Sequence, residues 1–232
     1  MENKIIIVIG AYGSGKSEYS INLAKDIKHE GQNIILVDLD VVNPYFRSRD
    51  VREKFKKEGI TVIAPEGEFQ YADLPMLSPR IMGAVQNFES SVILDVGGDP
   101  AGCRTLARYI SSINKRCYEM HFVVNTKRPF TANKSDIIEM LNNLEQVSKL
   151  KITELISNAN LMEHTEESVV KDGIDILQEV ADERKILFEK YLVLEKYSDK
   201  IPGQINGKKK VVLKYYLSKP WEMVNKVHKM GI

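Results

Sequence analysis

The chain has 232 residues, enough for one α/β domain with a full core. Apolar residues make up 43 % and charged residues 28 %, an ordinary globular balance. The formal net charge of +1 gives no general attraction to nucleic acid or acidic membranes, so neither is expected as a partner. The apolar run within residues 1–10 covers about six positions, too short for a signal-peptide core or a membrane span, and the expected location is the cytoplasm. Cys103 and Cys117 form no CxxC pair, so buried reduced thiols are expected rather than a disulfide or a zinc site.

Short β-branched runs alternate with stretches of helical period, the pattern of repeated βαβ units. The runs at 5–9, 34–37, 61–63, 92–94, 121–124 and 154–156 are each short enough for a buried strand. Between them, 16–30, 50–58, 77–87, 104–114, 136–148 and 166–182 carry apolar residues at three- and four-residue spacing, which predicts helices. The expected fold is α/β, a doubly wound, mostly parallel sheet of about seven or eight strands with helices on both faces. Beyond residue 185 the pattern weakens, and 187–194 and 211–217 read as edge strands around a turn containing Pro202, Gly203 and Gly207. The chain reads as a single domain over 1–232, with a core of 1–182 and an extension of 183–232 that ends in a short helix.

Residues 10–17 read GAYGSGKS, a complete match to the phosphate-loop pattern G-x-x-x-x-G-K-[ST]. The motif leaves an apolar strand and opens an amphipathic helix. Its residues Gly10, Gly13, Ser14, Gly15, Lys16, Ser17 and Glu18 are therefore expected to surround nucleotide phosphates with backbone N–H groups. Lys16 supplies a cation for the β- and γ-phosphates, and the Ser17 hydroxyl is placed to ligate Mg²⁺.

Ligands of open α/β sheets sit beyond the carboxyl ends of strands, and three acids interrupt apolar runs there. LVDLD gives Asp38 and Asp40, and ILDVGG gives Asp95 followed by Gly97 and Gly98. Asp95 reads as the Walker B acid of the metal shell, with Asp38 bracing the same shell. Asp40 lies on the same strand face as Asp38 and is expected to orient a water or a substrate hydroxyl. Turn or cap chemistry is the alternative for each of the three.

At these spacings GAYGSGKS, VDLD and ILDVGG resemble the MinD/ParA/CobQ-type (SIMIBI) division of P-loop proteins over roughly residues 1–182. The resemblance implies ATP as ligand, a Walker B strand beside the P-loop strand, a water-aligning Asp40 and a base-contacting Asn158 in LISNANL. Dimeric ATPases of that division often carry a lysine directly after the first loop glycine, where this chain has Ala11. Any second cation is then to be sought among Arg47, Arg49 and Arg128. The iron–sulfur cluster of the nitrogenase iron protein does not carry over, because FVVNTKR lacks a second cysteine.

The NKSD at 133–136 matches a guanine-reading motif, but it stands eight residues after Asn125 and reads as a helix N-cap with its N3 partner. Near the end of the chain, Trp221, Val224 and Val227 share one side of a short helix, expected to dock on the core or on a second subunit. The leading functional expectation is a Mg²⁺-dependent ATPase whose nucleotide state controls binding to a protein partner or to a second copy. The alternative is a kinase or ligase in which Asn43, Tyr45, Arg47 and Arg49 hold an acidic small molecule.

Overall fold

The structure is a computed structural model and describes residues 3–40, 52–64, 79–98 and 100–217. Strand β1 (Ile5–Ile9) has the sequence IIIVI and is buried throughout. Alternation sends Ile5, Ile7 and Ile9 into one apolar cluster and Ile6 and Val8 into another, so β1 needs cover on both faces. Each such side chain, fully withdrawn from water, contributes about 1.5–3 kcal/mol. One face is covered by α1 (Lys16–His29) and α2 (Arg52–Lys57), through Tyr19, Ile21, Ala24, Ile27 and Phe55. The other is covered by α3 (Pro79–Gln86), α4 (Pro100–Arg104), α5 (Ile110–Ile113), α6 (Lys134–Ser148) and α7 (Glu167–Arg184).

The remaining strands are β2 (Ile34–Leu39), β3 (Thr61–Ile63), β4 (Ser91–Val96), β5 (Tyr118–Val124), β6 (Glu154–Ser157), β7 (Leu187–Leu194), β8 (Gln204–Ile205) and β9 (Lys208–Leu213). Among the described residues they form one nine-stranded sheet in the order β3-β2-β4-β1-β5-β6-β7-β9-β8. Every pairing is parallel except β8 with β9. β1 lies between β4 and β5, so the chain's winding reverses beside it and opens a crevice at its carboxyl end.

Several expectations change. The sheet exceeds the expected seven or eight strands, and neither 187–194 nor 211–217 is an edge strand: β7 pairs in parallel with both β6 and β9, and β9, over Lys208–Leu213, pairs with both β7 and β8. Within β7, Lys190 Nζ finds Glu154 at 3.1 Å on the neighbouring strand. The helix expected over 104–114 is instead α4, a 3₁₀ turn at Thr105–Arg108 and then α5. Both cysteines are free, but only Cys103 is buried; Cys117 is exposed, directly before β5. The Trp221 segment lies outside the described residues. No described helix is long and apolar enough to cross a membrane.

Candidate functional site

After Ile9 the chain turns through GAYGSGKS into α1, and no side chain caps Gly15, the residue before the helix. The first N–H groups of α1 therefore point out of its start unused by the helix itself. Gly15 has φ +88°, and a Cβ there would lie 2.2 Å from Asn158 Nδ2. Asn158 braces the loop from behind: its Nδ2 donates to the Ser14 carbonyl at 2.6 Å, and its own N–H donates to Val124 O at 2.7 Å. This contact joins the end of β6 to the loop.

Two more strand ends meet the loop. Asp38 on β2 and Asp95 on β4 are register partners on adjacent parallel strands, which sets both carboxylates on the same side of the sheet. Asp38 Oδ1 accepts the Asp40 N–H at 3.1 Å, a local turn bond that fixes Asp40. Asp40 Oδ2 then lies 3.1 Å from Lys16 Nζ, with both groups buried. Gly98 presses on the loop from β4: a Cβ there would sit 2.4 Å from Gly10 O, so only glycine permits this approach.

Asp95 is fully buried, and both of its carboxylate oxygens lack a hydrogen-bond partner at bonding distance. Burial raises its pKa to about 6, against the opposing effects of Lys16, Ser17 and Ser20. A buried carboxylate with hydroxyls beside it is the donor set of an oxygen-ligated cation. No group of three or more His, Cys, Asp or Glu among the described residues is built to hold a metal by itself. Ser17 and Asp95 would be the protein donors to a Mg²⁺ that takes most of its ligands from phosphate and water, and the residues present fit that ion.

A cleft of about 310 Å³ opens from the loop. Its lining includes Gly13, Lys16, Ser17 and Arg128 and also Asn160, Met162, Leu194, Leu213, Tyr215 and Leu217. Arg128 lies against the loop, its Nε 3.2 Å from where a Gly13 Cβ would be. Tyr12, at 67 % exposure, stands out from the loop.

The strand order, the loop opening α1 and the acids at the ends of β2 and β4 make one arrangement. The chain has a P-loop NTPase-like fold. It is similar to the cell division protein FtsY of Thermotoga maritima, at 19 % identity and TM-score 0.57, over 82 % of this chain and 62 % of that one. It is also similar to the signal recognition particle receptor FtsY of Elizabethkingia anophelis in complex with GDP, at 17 % identity and TM-score 0.54, over 83 % of this chain and 57 % of that one. The 54 kDa signal recognition particle protein of Aeropyrum pernix K1 in complex with GDP matches at 14 % identity and TM-score 0.57, over 100 % of this chain and 47 % of that one. The chain therefore spans less than two thirds of the length of these structures. No family model and no curated protein matches it.

Within this P-loop fold, Gly10, Gly13, Ser14, Gly15, Lys16, Ser17, Asp38, Asp40, Asp95 and Asn158 all gather at the crevice beside β1. Glu18 sits there too, but its Oε1 accepts the N–H groups of Tyr216 and Leu217, both at 2.7 Å. Burial raises its pKa to about 7, while those two N–H groups act to lower it. The NKSD motif is a helix cap: Asn133 Oδ1 accepts the Asp136 N–H at 3.0 Å and α6 begins at Lys134. Arg47, Arg49 and the rest of VVNPYFRSRD lie outside the described residues. Sequence reasoning missed Asn160, Met162, Leu194, Leu213, Tyr215 and Leu217. The available signal was Asn22, an amide in mid-helix with no propensity reason to be there.

Proposed function

We propose that this chain is a Mg²⁺-dependent ATP-binding protein that hydrolyses ATP and whose nucleotide state controls its binding to a protein partner or a second copy. The observation that supports this most is the convergence of Lys16, Ser17 and the fully buried Asp95 carboxylate on the uncapped start of α1. In this reading the loop N–H groups and Lys16 hold the β- and γ-phosphates. Bound Mg²⁺ supplies charge neutralisation of the phosphates, with Ser17 and Asp95 as protein ligands and Asp38 supporting them. Asp40 aligns the attacking water after phosphate has taken over its contact with Lys16. Arg128, against Gly13, is the described candidate for a second cation. The likeness to the MinD/ParA/CobQ division rests on the three motifs and is part of the proposal.

The choice of adenine has its own support. NKSD at 133–136, the guanine-reading pattern, serves as the cap of α6, and the motif likeness points to ATP. The two similar structures in complex with GDP favour guanine as the second reading. Calorimetry with Mg-ATP and Mg-GTP decides between them: ten-fold tighter GTP, about 1.4 kcal/mol, reverses the assignment. Phosphate release without added metabolite then supports hydrolysis, and release only with an acidic metabolite favours the kinase reading.

A further inference from the structure

The chain beyond β9 has left the sheet, so its backbone groups need other partners. Two side chains of α1 supply them. Glu18, one residue past Ser17, accepts the N–H groups of Tyr216 and Leu217 through Oε1. Asn22, one helical turn on, clasps Lys214 from both sides: Nδ2 donates to Lys214 O at 2.9 Å, and Oδ1 accepts the Lys214 N–H at 2.9 Å. Packing follows the same line. Leu213 and Leu217 are buried against the α1 cluster, and the Tyr216 ring meets Phe55 edge-on at 6.0 Å with Lys25 Nζ 4.8 Å from its centre.

The stretch held this way contributes Leu213, Tyr215 and Leu217 to the lining of the cleft, together with Met162 and Leu194 and with Gly13, Lys16 and Ser17 of the loop. Phosphate oxygens belong at the loop amides and Lys16, so a nucleoside is left with the apolar part of the lining, which suits the flat face of a base. We infer that Glu18 and Asn22 are positioning residues: they seat residues 213–217 as the nucleoside-facing wall of the cleft, so that base binding depends on a latch built into α1. This rests on the nucleotide-binding reading above and deepens it. The first turn of α1 then serves both ends of the ligand, with backbone N–H groups toward the phosphates and Glu18 toward the wall.

The test uses the full chain and reads two things: amide exchange over residues 214–217, and calorimetric affinity for Mg-ATP, Mg-GTP and Mg-tripolyphosphate. Glu18→Ala is expected to speed exchange at Tyr216 and Leu217 and to weaken nucleotide binding by about ten-fold or more, leaving tripolyphosphate within about two-fold. Glu18→Gln is expected to restore both, because its amide oxygen accepts the same two N–H groups. Asn22→Ala gives the same ordering if Glu18→Ala fails to fold. The latch is overturned by unchanged exchange in the alanine variants, by equal loss of nucleotide and tripolyphosphate, or by absence of rescue in Glu18→Gln. A parent protein that binds tripolyphosphate but no nucleotide overturns the wall and leaves the phosphate loop standing. A parent that binds neither overturns the proposed function, and the wall with it.

Discussion

Lys16, Asp40 and Asp95 place one positive and two negative groups within a buried crevice, where charge is costly unless matched. Lys16→Ala removes the cation and is expected to weaken Mg-ATP binding by about 1.5–3 kcal/mol, measured by calorimetry. The carboxylates separate by role. Asp38→Asn and Asp95→Asn are expected to weaken Mg²⁺-dependent nucleotide binding together with turnover. Asp40→Asn is expected to keep or slightly raise nucleotide affinity, since Lys16 loses a competing anion, while turnover falls about 10²–10⁴-fold. Parent-level hydrolysis in that variant would return Asp40 to turn chemistry. Away from the site, hydrogen bonding by His121 and contact with Lys4 hold the half-buried Glu119 down to about 2, below its ordinary 4.5. A lowered carboxyl pKa contributes stability above the ordinary value and loses it as pH falls through about 2. Glu119→Gln is therefore expected to cost no more than about 1 kcal/mol at pH 7, the group being partly solvated, with the deficit vanishing toward pH 2 in denaturant titrations.

At the scale of elements, α1 and α6 start differently, and the difference bears on the proposed function. Asn133 caps α6 through Oδ1 to the Asp136 N–H, whereas Gly15 leaves the start of α1 without a side-chain cap. Asn133→Ala is expected to cost about 1 kcal/mol in thermal or urea unfolding and to leave the ATP-to-GTP preference where it is. A change of preference in that variant would revive NKSD as a base reader. β4 joins the two kinds of element, delivering Asp95 from its buried run and pressing Gly98 onto the loop carbonyl of Gly10.

For the whole molecule, one sheet with two apolar clusters frames a cleft assembled from the P-loop, the chain after β6 and the chain after β9. A ligand held by all three draws distant parts of the chain together, so it stabilises the folded state by mass action. At about 100 times Kd the gain is about 2.7 kcal/mol. Mg-ATP is expected to raise the melting temperature, and EDTA is expected to abolish most of that rise through the loss of the metal. A rise undiminished by EDTA would separate nucleotide binding from Ser17 and Asp95.

The GAYGSGKS turn into α1 was legible because its pattern is local: glycines, a lysine and a hydroxyl follow one another between a strand and a helix. The α/β class was legible for a similar reason, since five successive apolar residues in β1 already require cover on both faces. Asp38 and Asp95 were visible as acids breaking apolar runs, but their side-by-side register came only from the pairing of β2 with β4. Nothing local marked β7 as an inner strand, because the partner of Lys190 is Glu154 on another strand. Glu18 shows the limit most clearly: its position after Ser17 suggested a nucleotide contact, yet its carboxylate goes to Tyr216 and Leu217. Pairings across nearly 200 residues depend on how the sheet closes, and the local pattern of the chain does not encode them.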